Sequence, residues 1–194
     1  IRQFLNNNSF SFEEFDEDNL MNKFSNLIAD GKVIGWFQGR MEFGPRSLGS
    51  RSILGDAQSI DMQKRMNLKI KYRESFRPFA PSVREEDVGE YFEIDRKSPY
   101  MLLVAKIKKS RQKMMNKEQN KSFGLDKLNV VRSDLPAVTH VDYTARVQTV
   151  NESTNSLFHK FLTRFKQKHG CSVVVNTSFN VRGEPIVCSP SDAY

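Results

Sequence analysis

Apolar positions along the chain repeat in two ways. Over 16–31, DEDNLMNKFSNLIADG, residues Leu20, Met21, Phe24, Leu27 and Ile28 fall on one face of a 3.6-residue period. Acidic residues crowd the start of this stretch and Gly31 ends it, so the spacing predicts a helix. SLFHKFLTRFKQKHG repeats the pattern with Leu157, Phe158, Phe161, Leu162 and Phe165, closed by Gly170, and SIDMQKRMNLKI, 59–70, is a further helix candidate. Between these lie short runs rich in β-branched and aromatic residues: KVIGWFQ (32–38), FAPSV (79–83), PYMLLVAKI (99–107), AVTHVDYTARVQTV (137–150) and CSVVVNTSF (171–179). Such runs predict strands. Helices interleaved with strands predict an α/β sheet domain, and the long run 137–150 predicts a mixed sheet. SPSDAY at the end reads as a helix start, with Ser189 as N-cap and Pro190 at the first helical position. Both ends read as cut, so the expectation is one excised domain, 1–194.

Composition narrows the class. Hydrophobic residues at 38% and charged residues at 27% of 194 describe a soluble globular chain long enough for a sizeable core. No apolar run approaches the ~20 residues of a membrane span, and IRQFLNNNSF lacks the apolar core of a signal peptide. The two cysteines, Cys171 and Cys188, form no CxxC pair, which argues for a reducing compartment, read as cytoplasmic, and against a zinc site.

The formal charge of +7 gathers in two zones, +5 over 40–77 and +7 over 105–133. The first is arginine set among glycine, proline and phenylalanine. The second, beginning KIKKSRQKMMNKEQNK, is lysine with amides and methionine. It reads as a solvated, largely mobile and peripheral insertion, 106–132, because it has few apolar groups with which to offset ordering entropy. Nucleic-acid contact is the lesser reading of this zone.

Three stretches carry candidate chemistry. GRMEFGPRSLGSRSILGD, 39–56, holds Arg40, Arg46 and Arg51 among four glycines. Guanidinium forks match phosphate or carboxylate oxygens two at a time, and glycine lets backbone N–H groups approach an anion. IKYRESFRPFAPSV places Lys71, Arg73 and Arg77 beside aromatics and prolines, and alternation puts Lys71 and Arg73 on one face of an extended segment. VVVNTSFNVRGEP ends an apolar strand in Asn176, Thr177, Ser178 and Asn180, followed by Gly183. These are small donors and acceptors suited to phosphate or ribose oxygens, or to a turn that satisfies its own backbone. The run 137–150 adds His140 and Arg146; for His140 alone, a structural hydrogen-bonded histidine is the better reading.

FGPRSLGSRSIL, IKYRESFRPFAPSV, LPAVTHVDYTARVQTV and NTSFNVRGEPIVCSP together resemble the C-terminal domain of the carbamoyltransferases that include nodulation-protein and tobramycin and cephamycin enzymes. Four blocks in order cover much of 31–192. The resemblance implies a YrdC-like α/β domain with a twisted mixed sheet and flanking helices, similar to threonylcarbamoyl-AMP synthases. Those enzymes pair Lys-x-Arg with a later Thr-Ser-x-Asn-x-x-Gly turn, matched here by Lys71-Tyr72-Arg73 and by Thr177 to Gly183. The lysine-rich stretch matches no functional block. The family's N-terminal domain, with its histidine-held metal and final transfer step, has no counterpart in these residues.

The resemblance implies formation of carbamoyl-adenylate from ATP, with Mg²⁺, and carbamoyl phosphate, for transfer to an acceptor hydroxyl by an N-terminal domain of the same chain. Lys71 and Arg73 are then expected at the α-phosphate and carbamoyl oxygens. Arg46 and Arg77 are expected at carbamoyl phosphate or pyrophosphate, and Ser178 with Asn180 at nucleotide phosphate or magnesium. Thr177, Asn176, Arg146 and His140 are further candidates. Arg46 is expected to share a pocket with Lys71; Arg51 is the alternative. A basic YrdC-type RNA-binding module and a purely structural domain are the other readings, the last of which leaves the arginine–glycine loop unexplained.

Overall fold

The structure, a computed structural model, describes residues 1–194. Seven strands form one mixed sheet: β1 (Ile34–Phe37), β2 (Arg51–Asp56), β3 (Ala80–Arg84), β4 (Phe92–Glu93), β5 (Leu103–Ile107), β6 (Thr144–Val150) and β7 (Val173–Ser178). Their spatial order is β1-β2-β7-β3-β6-β5-β4. Only the β3–β6 pair is parallel; every other neighbour runs antiparallel. Flanking the sheet are α1 (Arg2–Asn7), α2 (Glu17–Ala29), α3 (Met62–Lys69), α4 (Val88–Tyr91), α5 (Lys117–Lys121), α6 (Gly124–Leu128), α7 (Ser156–His169) and α8 (Pro190–Ala193). This is the α/β mixed-sheet class that the sequence predicts. No helix is long and apolar enough to cross a membrane.

The two strongest helical patterns become α2 and α7, which pack on each other. Asp16 caps α2 by accepting from the Asn19 amide at 2.8 Å, and Asn155 caps α7. Gly170 closes α7 at φ +74°, a left-handed conformation that suits glycine. Their apolar faces meet Trp36 of β1, whose ring lies 5.7 Å from Phe24 and 5.5 Å from Phe161. Phe158, Phe161, Leu162 and Phe165 are buried with the valines of β7 in one core.

Three expectations change. The run 137–150 is a strand only over Thr144–Val150; before it, Asp142 accepts from the Thr144 amide and Tyr143 takes φ +63°, making a turn. Likewise 99–107 is a strand only from Leu103, after a turn through Met101 at φ +54°. Residues 51–56, read as the tail of the arginine loop, form β2 inside the sheet, between β1 and β7.

After Ile107 the chain leaves the sheet and forms α5 and α6, neither with a buried residue. Both ends of this excursion are tied down. Arg111 pairs with Asp134 at 2.6 Å, and buried Arg132 donates to the carbonyls of Leu128 and Val130.

Candidate functional site

Three loops meet at one end of the central strands. The arginine loop runs from β1 into β2 and is pinned from within by Glu42. The Glu42 carboxylate accepts from the amides of Leu48 and Ser50 at 2.7 Å each and of Arg51 at 3.3 Å. The turn after α3 carries Lys71 and Arg73. It is not extended as the alternation predicted: Tyr72 sits at φ +46°, and the amides of Lys71 and Arg73 donate back to the Met66 and Asn67 carbonyls. The third loop follows β7 through Ser178 and Asn180 to Gly183.

Two adjoining hollows result. The larger, about 400 Å³, is lined by Lys71, Arg73, Arg77, Ser178, Asn180 and Arg182, among others. The Lys71 ammonium donates to the Ser178 carbonyl, the Asn180 carbonyl and Asn180 Oδ1, which ties the lysine turn to the β7 turn. Burial, and then the nearby Arg73 guanidinium, pull the Lys71 pKa down to about 8. Ser178 Oγ lies 3.1 Å from Asn180 Oδ1. One carboxylate reaches this hollow, that of Glu74, and it is paired with Arg77 at 2.9 Å.

The smaller hollow, about 150 Å³, is lined by Arg46, Ser47, Arg73, Arg146 and Asn176, with Phe79 and Met101 among its apolar walls. Three guanidinium groups therefore face one small space into which no carboxylate projects. Arg73 is aimed by Asn67, whose Oδ1 accepts from Nε at 2.6 Å, and its Cζ lies 4.8 Å from the centre of the Phe79 ring. Arg46 and Arg146 make no ion pair. Their Nε atoms, with Ser47 Oγ and Asn176 Oδ1, are buried and lack any protein partner. Burial first and a neighbouring arginine second depress the pKa values of both Arg73 and Arg146. Like charges gathered in this way make a cradle suited to an anion.

The predicted residues thus fall into place unevenly. Arg46 and Lys71 line different hollows, but these share Arg73, Thr177 and Ser178 as a common wall. Arg51 lines neither. Its buried guanidinium stacks on Phe37 at 3.5 Å and donates to the carbonyls of Gln38, Gly39, Ser50 and Cys188, so it fastens the loop to the sheet. His140 lies one step away, in a 220 Å³ hollow that meets the smaller one at Pro78, and burial lowers its pKa. Arg77 stands at the exposed rim. Asn67, Ser47 and Arg182 were not predicted. Asn67 lies inside a helical stretch and Ser47 and Arg182 in polar turns, where their residue types carry no distinct signal.

Comparison with known proteins gives the family. The sequence profile of the family described as "Carbamoyltransferase C-terminus" matches residues 25–194. The chain is 56% identical over 183 residues to an uncharacterized protein of Synechocystis sp., covering 94% of this chain and 30% of that protein. It is 40% identical to nodulation protein NolO of Bradyrhizobium diazoefficiens, covering 91% and 29%. It is 39% identical to 3'-hydroxymethylcephem-O-carbamoyltransferase of Amycolatopsis lactamdurans, covering 87% and 28%. The chain therefore spans about three tenths of the length of these relatives.

Proposed function

The chain belongs to the carbamoyltransferase C-terminal family, and from that premise we propose that its paired hollows make carbamoyl-adenylate from ATP and carbamoyl phosphate. A further domain of the longer protein would pass the carbamoyl group to an acceptor hydroxyl. One relative's name describes O-carbamoyl transfer of that protein to a hydroxymethyl group.

The observation that carries this reading is the smaller hollow: three arginines, no carboxylate, and buried Nε atoms of Arg46 and Arg146 with no protein partner. Its 150 Å³ suits a small anion such as carbamoyl phosphate, whereas the 400 Å³ hollow beyond the shared wall has room for a polyphosphate. In the reaction, water splits carbamoyl phosphate to carbamate and phosphate. A carbamate oxygen then forms a bond to the α-phosphorus of ATP as the bond to the β-phosphate bridging oxygen breaks, and pyrophosphate leaves.

Both reactants are anions, so the work of the chain is to hold them together and to offset their repulsion. Arg46, Arg146 and Arg73 would grip carbamoyl phosphate and the carbamate made from it. Lys71 and Arg73, at the shared wall, would meet the α-phosphate where charge builds up. Ser178, with the Thr177–Gly183 turn, would hold the outer phosphates, and Arg77 with Arg182 would receive pyrophosphate at the rim. No enzyme nucleophile is required. The hollows offer no set of carboxylates for a metal ion, since Glu74 is engaged by Arg77, so Mg²⁺ would arrive with the nucleotide.

Calorimetry tests the reading. The folded protein should bind ATP–Mg²⁺ with a Kd below about 1 mM, and Lys71→Met should remove most of that affinity. With carbamoyl phosphate added, pyrophosphate should be released from ATP. A folded sample that binds no ATP at millimolar nucleotide would overturn the proposal.

A further inference from the structure

The orphaned groups of the smaller hollow are not all alike. Arg46 Nε and Arg146 Nε are donors, and the Ser47 hydroxyl can act either way. Asn176 Oδ1 can only accept. In a hollow built for an anion, an obligate acceptor with no partner faces the wrong way for phosphate oxygens. It needs a ligand that carries both negative charge and an N–H donor.

The orientation of this carbonyl is fixed from below. Gln148 of β6 and Asn176 of β7 are almost fully buried, at 3% and 1% exposure. Gln148 Nε2 donates to the Leu48 carbonyl at 2.8 Å. Because that carbonyl only accepts, the Gln148 amide has one possible sense, and its Oε1 must face inward. There it accepts from the Ser82 hydroxyl and from Asn176 Nδ2, the latter at 2.9 Å. Asn176 Nδ2 also reaches the Ser47 carbonyl at 3.1 Å and Ser82 Oγ at 2.9 Å. Turning the Asn176 amide over would set its oxygen against two acceptor oxygens, so Nδ2 stays with these partners and Oδ1, on a residue that lines the hollow, is the atom left unpaired. The same network grips the carbonyls of Ser47 and Leu48, the two residues that follow Arg46, and so sets where Arg46 stands.

We propose that Asn176 Oδ1 is the specificity-determining acceptor for the carbamoyl N–H of the bound anion, and that Gln148 is the residue that positions it. This rests on the carbamoyl phosphate reading of the hollow and adds to it the atom that tells a carbamoyl group from its isosteres. Acetyl phosphate carries a methyl where carbamoyl phosphate carries an amino group. Bound in the same place, it would leave Oδ1 buried and unpaired, a loss that sites built to hydrogen-bond a substrate N–H convert into discrimination.

The test compares calorimetric affinities for carbamoyl phosphate, acetyl phosphate and inorganic phosphate in the wild type and in Gln148→Leu and Gln148→Met. Wild type should prefer carbamoyl over acetyl phosphate by about tenfold or more. Both variants should bring that ratio close to one while inorganic phosphate still binds, an outcome that general loss of stability would not produce. Equal wild-type affinity for the two acyl phosphates would overturn the assignment of Asn176 and leave the anion site standing. A ratio unchanged in both Gln148 variants would overturn the positioning role. If the folded wild type binds none of the three anions, the reading of the hollow falls and this inference with it.

Discussion

At Lys71 two influences oppose each other: three oxygen acceptors hold its ammonium in place, while burial and Arg73 pull its pKa down to about 8. The unfolded chain would titrate near 10.4. Between these values the unfolded state binds the additional proton, so this residue makes stability rise as pH rises from about 8 to about 10.4. Anion affinity should move the opposite way. Through pH 8 the charge is lost, and ATP, fully ionised there, should bind progressively more weakly; Lys71→Met should flatten the profile. Calorimetric titrations from pH 7 to 9.5 check this, and a wild-type profile as flat as the variant's would refute it. Arg46 gives a second residue-scale prediction. Lysine in its place keeps the charge but loses the fork and the buried Nε–H, so Arg46→Lys should weaken binding of carbamoyl phosphate by about 1.4–2.8 kcal/mol, about ten- to a hundredfold. Arg40, exposed and without an ion pair, should tolerate the same change with little effect. Equal losses for Arg46→Lys and Arg40→Lys would remove Arg46 from the site.

At the scale of elements, the arginine loop works because it is seated on α7 and the sheet. Gly49 is the point of closest approach. Its φ is +104°, and a Cβ there would lie 2.3 Å from the Phe158 ring. Its carbonyl accepts from Trp36 Nε1 at 2.8 Å, which joins the loop to the aromatic core. Gly49→Ala should therefore destabilise the protein by about 2 kcal/mol or more and lower Tm by roughly 4–8 °C. Thermal unfolding checks it, and an unchanged Tm would mean that the loop is not seated as described. The same region shows what pattern reading misses. That the loop would contribute to a basic hollow was legible in its arginines, set among glycine and proline. The strand β2 was not, because it is buried on both faces over RSILG and so shows no alternation. Gly55, which reads as a loop residue, lies in that strand where Met62 and Met66 leave no room for a Cβ. Conversely, 137–150 looked like one long strand because its apolar residues continue through a turn set by Asp142 and Tyr143.

At the scale of the molecule, the site joins segments distant in sequence: 46–47, 71–77, 146–148 and 176–183 come together only through the strand order β2-β7-β3-β6. Residues that line the hollows were recognisable by type, as with Lys71, Arg73, Ser178 and Asn180. Those that hold them were not. Gln148 was visible as a polar residue in the apolar run TARVQTV, but only the sheet shows that it meets Ser82 and Asn176. The lysine-rich excursion is the converse case, a strong sequence signal whose lysines are not part of the two hollows. Lys108, Lys109, Lys113, Lys117 and Lys121 line neither of them, and charges farther off than the Debye length, about 8 Å at 0.15 M salt, are largely screened. Replacing these five lysines by glutamine lowers the net charge from +7 to +2. It should nevertheless change the Kd for ATP less than about twofold at 0.15 M salt, with a larger loss appearing at 0.01 M, where screening extends to about 30 Å. If binding instead weakens tenfold at 0.15 M, the excursion touches the ligand, and the site must be redrawn to include it.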